Sequence, residues 1–119
     1  MIVFFQFHAQ YKSSPTSTKP HIFWIAKQAY TELIETKRNQ CVLVSGESGS
    51  GKTENTKLIV RHLAHVSSAK RNNLHEKIVQ INPLLESFGN ATTCLNKNSS
   101  RFGKYISLMF DMNGALHSG

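Results

Sequence analysis

The sequence predicts an α/β fold, and three observations carry that expectation. The short apolar run Cys41-Val42-Leu43-Val44 has the length and composition of a buried strand. It passes through Ser45 into Gly46-Glu47-Ser48-Gly49-Ser50-Gly51-Lys52-Thr53, which fits the pattern G, four arbitrary residues, then G-K-[ST]. From about Lys52 to Ala64, the residues Leu58, Ile59, Leu63 and Ala64 then recur at helical spacing. Strand, glycine loop and helix in that order make the local unit of a P-loop NTPase.

The loop has a direct chemical reading. Its glycines let successive backbone N–H groups turn inward around a phosphate, and the start of the next helix adds unpaired N–H groups and the positive end of its dipole. Lys52 can reach terminal phosphates and the Thr53 hydroxyl can ligate Mg²⁺. The rival reading is a purely structural glycine turn. The flanking strand and helix favour the phosphate loop.

Bulk properties narrow the remaining classes. At 119 residues and 13.4 kDa the chain is one domain at most. Its formal charge of +7 comes from fourteen Lys and Arg against seven Asp and Glu. That excess is dispersed through Lys12, Lys19, Lys37, Arg38, Lys70, Arg71, Lys97 and Lys104 and forms no basic arm. A nucleic-acid role would rest on these scattered cations alone, and no nucleic-acid partner is expected. Cys41 and Cys94 have no metal spacing, and a reduced intracellular setting is the default. Met1 to Phe7 lacks the basic and long apolar regions of a signal peptide. No stretch has the length of a membrane span.

Taken in order, residues 2–7 suit a strand, and Ser13 to Pro20 reads as a proline-punctuated connection. A helix is expected from Pro20, or just after it, to Thr36, with Pro20 suited to the first helical position. Ile22, Ile25, Ala26, Ala29, Leu33 and Ile34 give it an apolar face. Phe23, Trp24 and Tyr30 read as packing rather than a cofactor box. Lys37-Arg38-Asn39-Gln40 closes it with charges that suit the helix dipole. Ser67 to Asn73 reads as an exposed loop, and Leu74 to Phe88 as a helix that Pro83 ends, restarts or kinks. Gly89-Asn90 suits its stop. His8 and His75 lack the partners a catalytic role needs. Tyr105 to Phe110 is a strand candidate, Asp111 to Gly114 its turn, and no convincing element follows.

A second polar loop, Asn96-Lys97-Asn98-Ser99-Ser100-Arg101-Phe102-Gly103-Lys104, precedes that strand. Its short amides and hydroxyls suit phosphate oxygens or a metal, and Arg101 and Lys104 can meet phosphate or an acidic partner. A solvated basic turn would explain the same residues.

Four stretches together resemble the nucleotide-binding part of a myosin motor head: Lys19 to Phe23, Asn39 to Glu54, Pro83-Leu84-Leu85-Glu86-Ser87-Phe88-Gly89-Asn90-Ala91, and Asn96 to Lys104. Their order and spacing agree as well, so residues 11–119 are similar to a partial motor domain and residues 1–10 are a divergent or foreign beginning. The resemblance implies that Gly46, Glu47, Ser48, Gly49, Ser50, Gly51, Lys52 and Thr53 cradle the phosphates of ATP. It makes Asn96 to Arg101 the switch I loop, with Asn96 on phosphate and Ser99 beside the γ-phosphate and lytic water. Ser100 would then join Thr53 on Mg²⁺, and Arg101 would pair with a switch II glutamate.

In the complete family member, this implies ATP hydrolysis coupled to actin-filament binding and movement, with myosin light chains, in the cytoplasm and cytoskeleton. Ser50 stands where the family often has alanine, and the Asn-Pro region of the adenine side does not precede Tyr11. Switch II, the actin cleft and the converter do not follow within these residues. Glu47, Glu54 and Glu86 are poor substitutes for the acidic partner of Arg101. The isolated chain, with its sheet left incomplete, is therefore expected to be poorly folded or to expose apolar surface, and to lack motor activity. A non-motor interaction or regulatory fragment, or a non-functional partial gene product, is the alternative reading.

Overall fold

The computed structural model describes residues 21–67, 76–77 and 80–118. The expected strand at residues 2–7, the connection up to Pro20 and most of the loop after Ser67 lie outside them. The architecture is mixed, with helices and small antiparallel strands. Helix α1 is Ile22–Thr36, α2 Lys52–Val66 and α3 Asn82–Gly89; the strands are β1 Asn90–Ala91, β2 Ser99–Ser100, β3 Met109–Phe110 and β4 Leu116–Ser118.

Helix α1 starts one cap later than a helical Pro20 would allow. His21 is the N-cap in extended conformation, and its Nδ1 accepts from the Phe23 N–H at 3.2 Å. An imidazole acceptor thereby satisfies one of the donors that the first turn leaves unpaired. The far end stops at Lys37, which adopts the left-handed conformation (φ 57°) and returns its N–H to the Leu33 carbonyl.

Helices α1 and α2 pack against each other, and the core lies between them. Ala26, Ile59 and Leu63 form its centre, flanked by Ile22, Tyr30, Val44, Leu108 and Phe110. Ala26 is small enough to let the helix backbones approach. Phe23 fills the adjacent space and stacks on His62, with ring centroids 4.5 Å apart and planes 5° from parallel.

Two expectations about strands need correction. Cys41 to Val44 forms no ladder among the described residues, and Leu43 is 86% exposed. A parallel strand is held by neighbours on its flanks, and no described strand lies beside this run; only Val44 reaches the core. Tyr105 to Phe110 keeps the period of a strand, with Ile106, Leu108 and Phe110 half-buried and Tyr105, Ser107 and Met109 exposed, but pairing is confined to β3. A successor element does follow the turn. Asp111 Oδ1 accepts from the N–H groups of Asn113 and Ala115, both at 2.9 Å, and this folds Leu116 back into burial on β4.

Pro83 restarts the helix. Residues 76, 77 and 80 are helical, Ile81 makes a turn, and α3 begins with the proline in its first turn, where a missing N–H costs nothing. The apolar exposure expected from the sequence is present, at Leu43, Phe88, Leu95, Tyr105 and Met112.

Tyr30 ties α1 to the β3–β4 turn by donating its hydroxyl to the Gly114 carbonyl at 2.7 Å. Burial, reinforced by the nearby Asp111 carboxylate, raises its pKa above 10.0. A phenol whose folded pKa is raised keeps its full stabilising contribution below pH ~10 and loses it as the pH climbs through the folded value. Tyr30→Phe should cost about 0.5–1.5 kcal/mol at neutral pH, and it should flatten the decline in stability above pH ~10. Urea melts of both chains at neutral and alkaline pH check this; an unchanged alkaline slope would remove Tyr30 as its source.

Candidate functional site

The glycine loop turns directly into α2. Gly51 is the N-cap at φ 84° and Gly49 lies at φ 83°, a backbone region that side chains rarely tolerate. A Cβ on Gly49 would come within 3.7 Å of the Asn96 side chain, so the second polar loop approaches the first closely there. With no side-chain cap on α2, the N–H groups of its first turn remain available to an anion, although Asn55 bonds back to the Gly51 carbonyl.

Lys52 reaches back over the loop. Its ammonium donates to the carbonyls of Gly46 and Glu47, each at 2.7 Å. An ammonium has three donors, so one remains after the loop has used two. The side chain is thereby held at the loop instead of trailing into solvent.

The second loop closes onto the first. Strands β1 and β2 pair antiparallel, with Asn90 opposite Ser100 and Ala91 opposite Ser99. Threonines stitch the turn between them: Thr92 donates to the Lys97 carbonyl and Thr93 to that of Asn96. Ser99 is buried, and its hydroxyl meets that of Ser48 at 2.9 Å. Ser100 donates its proton to the Phe102 carbonyl at 3.2 Å, which leaves its oxygen lone pairs as its remaining function.

A cleft of about 270 Å³ lies between the loops. Of the residues singled out in the sequence, it brings together Ser48, Gly49, Gly51, Lys52, Thr53, Asn96, Ser99 and Ser100. Gly46, Glu47 and Ser50 support the loop from outside this lining. Arg101 is exposed and has no carboxylate partner among the described residues. Hydroxyls, amides, carboxylates and two ammonium groups share this lining.

Sequence reasoning missed several lining residues. Glu54 and Lys57 form an ion pair at 2.7 Å on the first turns of α2. Glu86, Asn90 and Asn98 also line the cleft. The signal for the last three was their membership of the Pro83–Ala91 and Asn96–Lys104 stretches; neither stretch alone reveals that the two meet. No described helix is long and apolar enough to cross a membrane.

Comparison with known proteins places the chain in a family. The family model described as myosin head (motor domain) matches residues 5–119. Myosin-IIIb of Mus musculus is 52% identical over 101 residues, covering 85% of this chain and 8% of that protein. Myosin type-2 heavy chain 1 of Schizosaccharomyces pombe is 50% identical over 110 residues, covering 89% and 7%. Unconventional myosin-Ic of Danio rerio is 52% identical over 103 residues, covering 84% and 10%. The chain thus spans a tenth or less of the length of these relatives. With a family match across nearly its whole length, the chain belongs to the myosin head (motor domain) family.

Proposed function

We propose that the cleft binds the phosphates of ATP together with Mg²⁺, as the nucleotide-binding part of an actin-based motor ATPase. One observation carries the reading: the glycine loop and the Asn96–Arg101 loop, separated in sequence, form the two walls of one cleft and touch through Ser48 and Ser99. The donor set fits the ligand. Positive-φ glycines, the free N–H groups of α2 and the Lys52 ammonium suit polyphosphate, and the hydroxyl oxygens of Thr53 and Ser100 suit a hard cation.

Gly46 to Thr53 would wrap the phosphate chain, with Lys52 turning its remaining N–H to the terminal groups. Thr53 and Ser100 would hold Mg²⁺, whose charge, when bound, offsets that of the phosphate oxygens. Ser100 can do so because its proton is already given to Phe102. Asn96 would add an amide donor to phosphate. Ser99, released from Ser48, would sit beside the γ-phosphate and orient the attacking water. Arg101 would pair with a glutamate of the switch II segment and so hold the loop shut over the reacting groups. In the complete family member this chemistry, ATP to ADP and phosphate, would be coupled to actin filaments and light chains in the cytoskeleton.

Calorimetric titration of the 119-residue chain with ATP, with and without Mg²⁺, tests the reading. Saturable binding that weakens on chelation of Mg²⁺ is expected. Ser100→Ala should weaken Mg²⁺-ATP binding by roughly tenfold, the loss of one charged contact, while leaving metal-free ATP binding almost unchanged. Binding that ignores Mg²⁺, or no saturable binding, would overturn the assignment.

A further inference from the structure

One connected set of side chains in the cleft wall meets the phosphate reading only through Asn96. Asn98 donates from Nδ2 to Glu86 Oε2 at 3.3 Å, and its Oδ1 accepts from Asn90 Nδ2 at 2.8 Å. The same Asn90 amide lies 3.4 Å from the Asn98 carbonyl. The Asn98 backbone N–H donates to Asn96 Oδ1 at 3.0 Å. Glu86 belongs to the last turns of α3 and Asn90 caps that helix, so both are fixed to a helical frame. Asn98 sits on the opposing loop, immediately before Ser99 and Ser100.

We infer that Asn98 is a positioning residue: the relay Glu86–Asn98–Asn90 locks the Asn96–Arg101 loop to the end of α3 and so holds Ser99 and Ser100 over the cleft. The polarity of the relay follows from its acidic end. A carboxylate only accepts, so Glu86 draws the Nδ2 of Asn98 toward itself and turns Oδ1 toward Asn90. Asn90 is then set with its Nδ2 facing Asn98; the opposite orientation would put oxygen against oxygen. Its own Oδ1 is buried with no partner among the described residues, so that amide is fixed through Nδ2 alone, by the Asn98 side-chain oxygen and, at longer range, the Asn98 carbonyl. Backbone bonds complete the lock, with Asn90 opposite Ser100 and the Arg101 N–H donating to the Gly89 carbonyl at 3.0 Å. What the lock does for catalysis rests on the proposed nucleotide reading; the lock itself does not.

Exchanging donor and acceptor tests the relay. Asn98→Asp alone sets two carboxylates face to face and should open the loop, with hydrogen exchange at the Arg101 amide at least about tenfold faster, the weight of one charge-assisted contact. Glu86→Gln added to Asn98→Asp restores the pair in reverse. The amide introduced on α3 then donates, the carboxylate introduced on the loop accepts from both sides, and the total charge is that of the original chain. Exchange in the double variant should return to within about threefold of the parent, since one bond is replaced by its equivalent. The α2 amides of Ile59 and Leu63 report global unfolding in the same spectra. Should Asn98→Asp speed those too, Asn98→Ala takes its place, with about tenfold faster exchange expected at Arg101 alone. Unchanged Arg101 exchange in the single variants, or no recovery in the double variant, overturns the relay. Mg²⁺-ATP titration of the same proteins separates the two ideas. Affinity that falls and recovers with the exchange rates supports a positioning role, whereas affinity indifferent to them overturns it. Absence of ATP binding in the parent chain would sink the nucleotide reading while the exchange data still decide the lock.

Discussion

Lys52→Ala is expected to raise the Kd for Mg²⁺-ATP by at least about 100-fold while leaving the fold in place. The magnitude follows from what the ammonium would do at the proposed site. Hydrogen bonds to charged groups contribute about 1.5–3 kcal/mol each, and the side chain stands at the loop where terminal phosphates would carry the highest charge density. Nothing else in the cleft wall replaces it: Lys57 is engaged with Glu54, and Arg101 lies outside the lining. Stability should change little, because the carbonyls of Gly46 and Glu47 that lose their donor belong to exposed residues and can be hydrated. Lys52→Arg should not restore binding, since a planar fork cannot reproduce the compact ammonium between two carbonyls. Calorimetry and thermal melts on the three chains make the comparison. A Kd within about threefold of the parent in Lys52→Ala, where one charged contact alone predicts about tenfold, would remove the lysine from the phosphate site.

What was readable in advance follows a physical division between local and distant causes. The turn into α2 could be read because a glycine loop, an anchoring lysine and a helical repeat are coded within neighbouring residues. The extents of α1 and α2 were readable for the same reason, whereas Pro83 left an end, a restart and a kink equally open until the structure showed the restart. The cap of α1 was not, because histidine is an unusual side-chain acceptor at an N-cap and proline at the first helical position is the commoner solution. Cys41 to Val44 shows the opposite limit. Its apolar character states that it wants burial, but a strand exists only through its neighbours, and these are a property of the whole sheet. The pairing of Asn90 with Ser100 was equally hidden. Neither residue is a strand former; the register comes from where α3 stops and from the threonine-stitched turn between them. The meeting of Ser48 and Ser99 could be expected only through the resemblance to a family, since no local periodicity joins residues so far apart.

Phe23→Ala is expected to bring the largest loss of stability, about 3–5 kcal/mol, typical of emptying an aromatic site in a core. The ring is 2% exposed and lies flat on His62, itself 0% exposed, while His21 meets it edge-on with centroids 4.4 Å apart. Removing it takes away one whole wall of the imidazole's surroundings and part of the contact between α1 and α2. Alanine's better helix propensity returns at most about 0.5 kcal/mol, which is far too little to compensate. Set that loss against the 5–15 kcal/mol, in order of magnitude about 10, that holds a typical domain together. With so few other buried apolar side chains among the described residues to share the load, most of the cooperative transition should disappear. Mg²⁺-ATP binding should weaken in parallel, because α2 carries the phosphate loop at its start and is held in place by this packing. The control is Ile25→Ala, on the same helix but 52% exposed, which should cost under about 1 kcal/mol. Urea denaturation followed by circular dichroism measures both. Equal losses in the two variants would mean that α1 is held by its own helical preference and that the stacked ring pair is incidental; a loss confined to Phe23 would place the stability of the phosphate loop in the contact between the two helices.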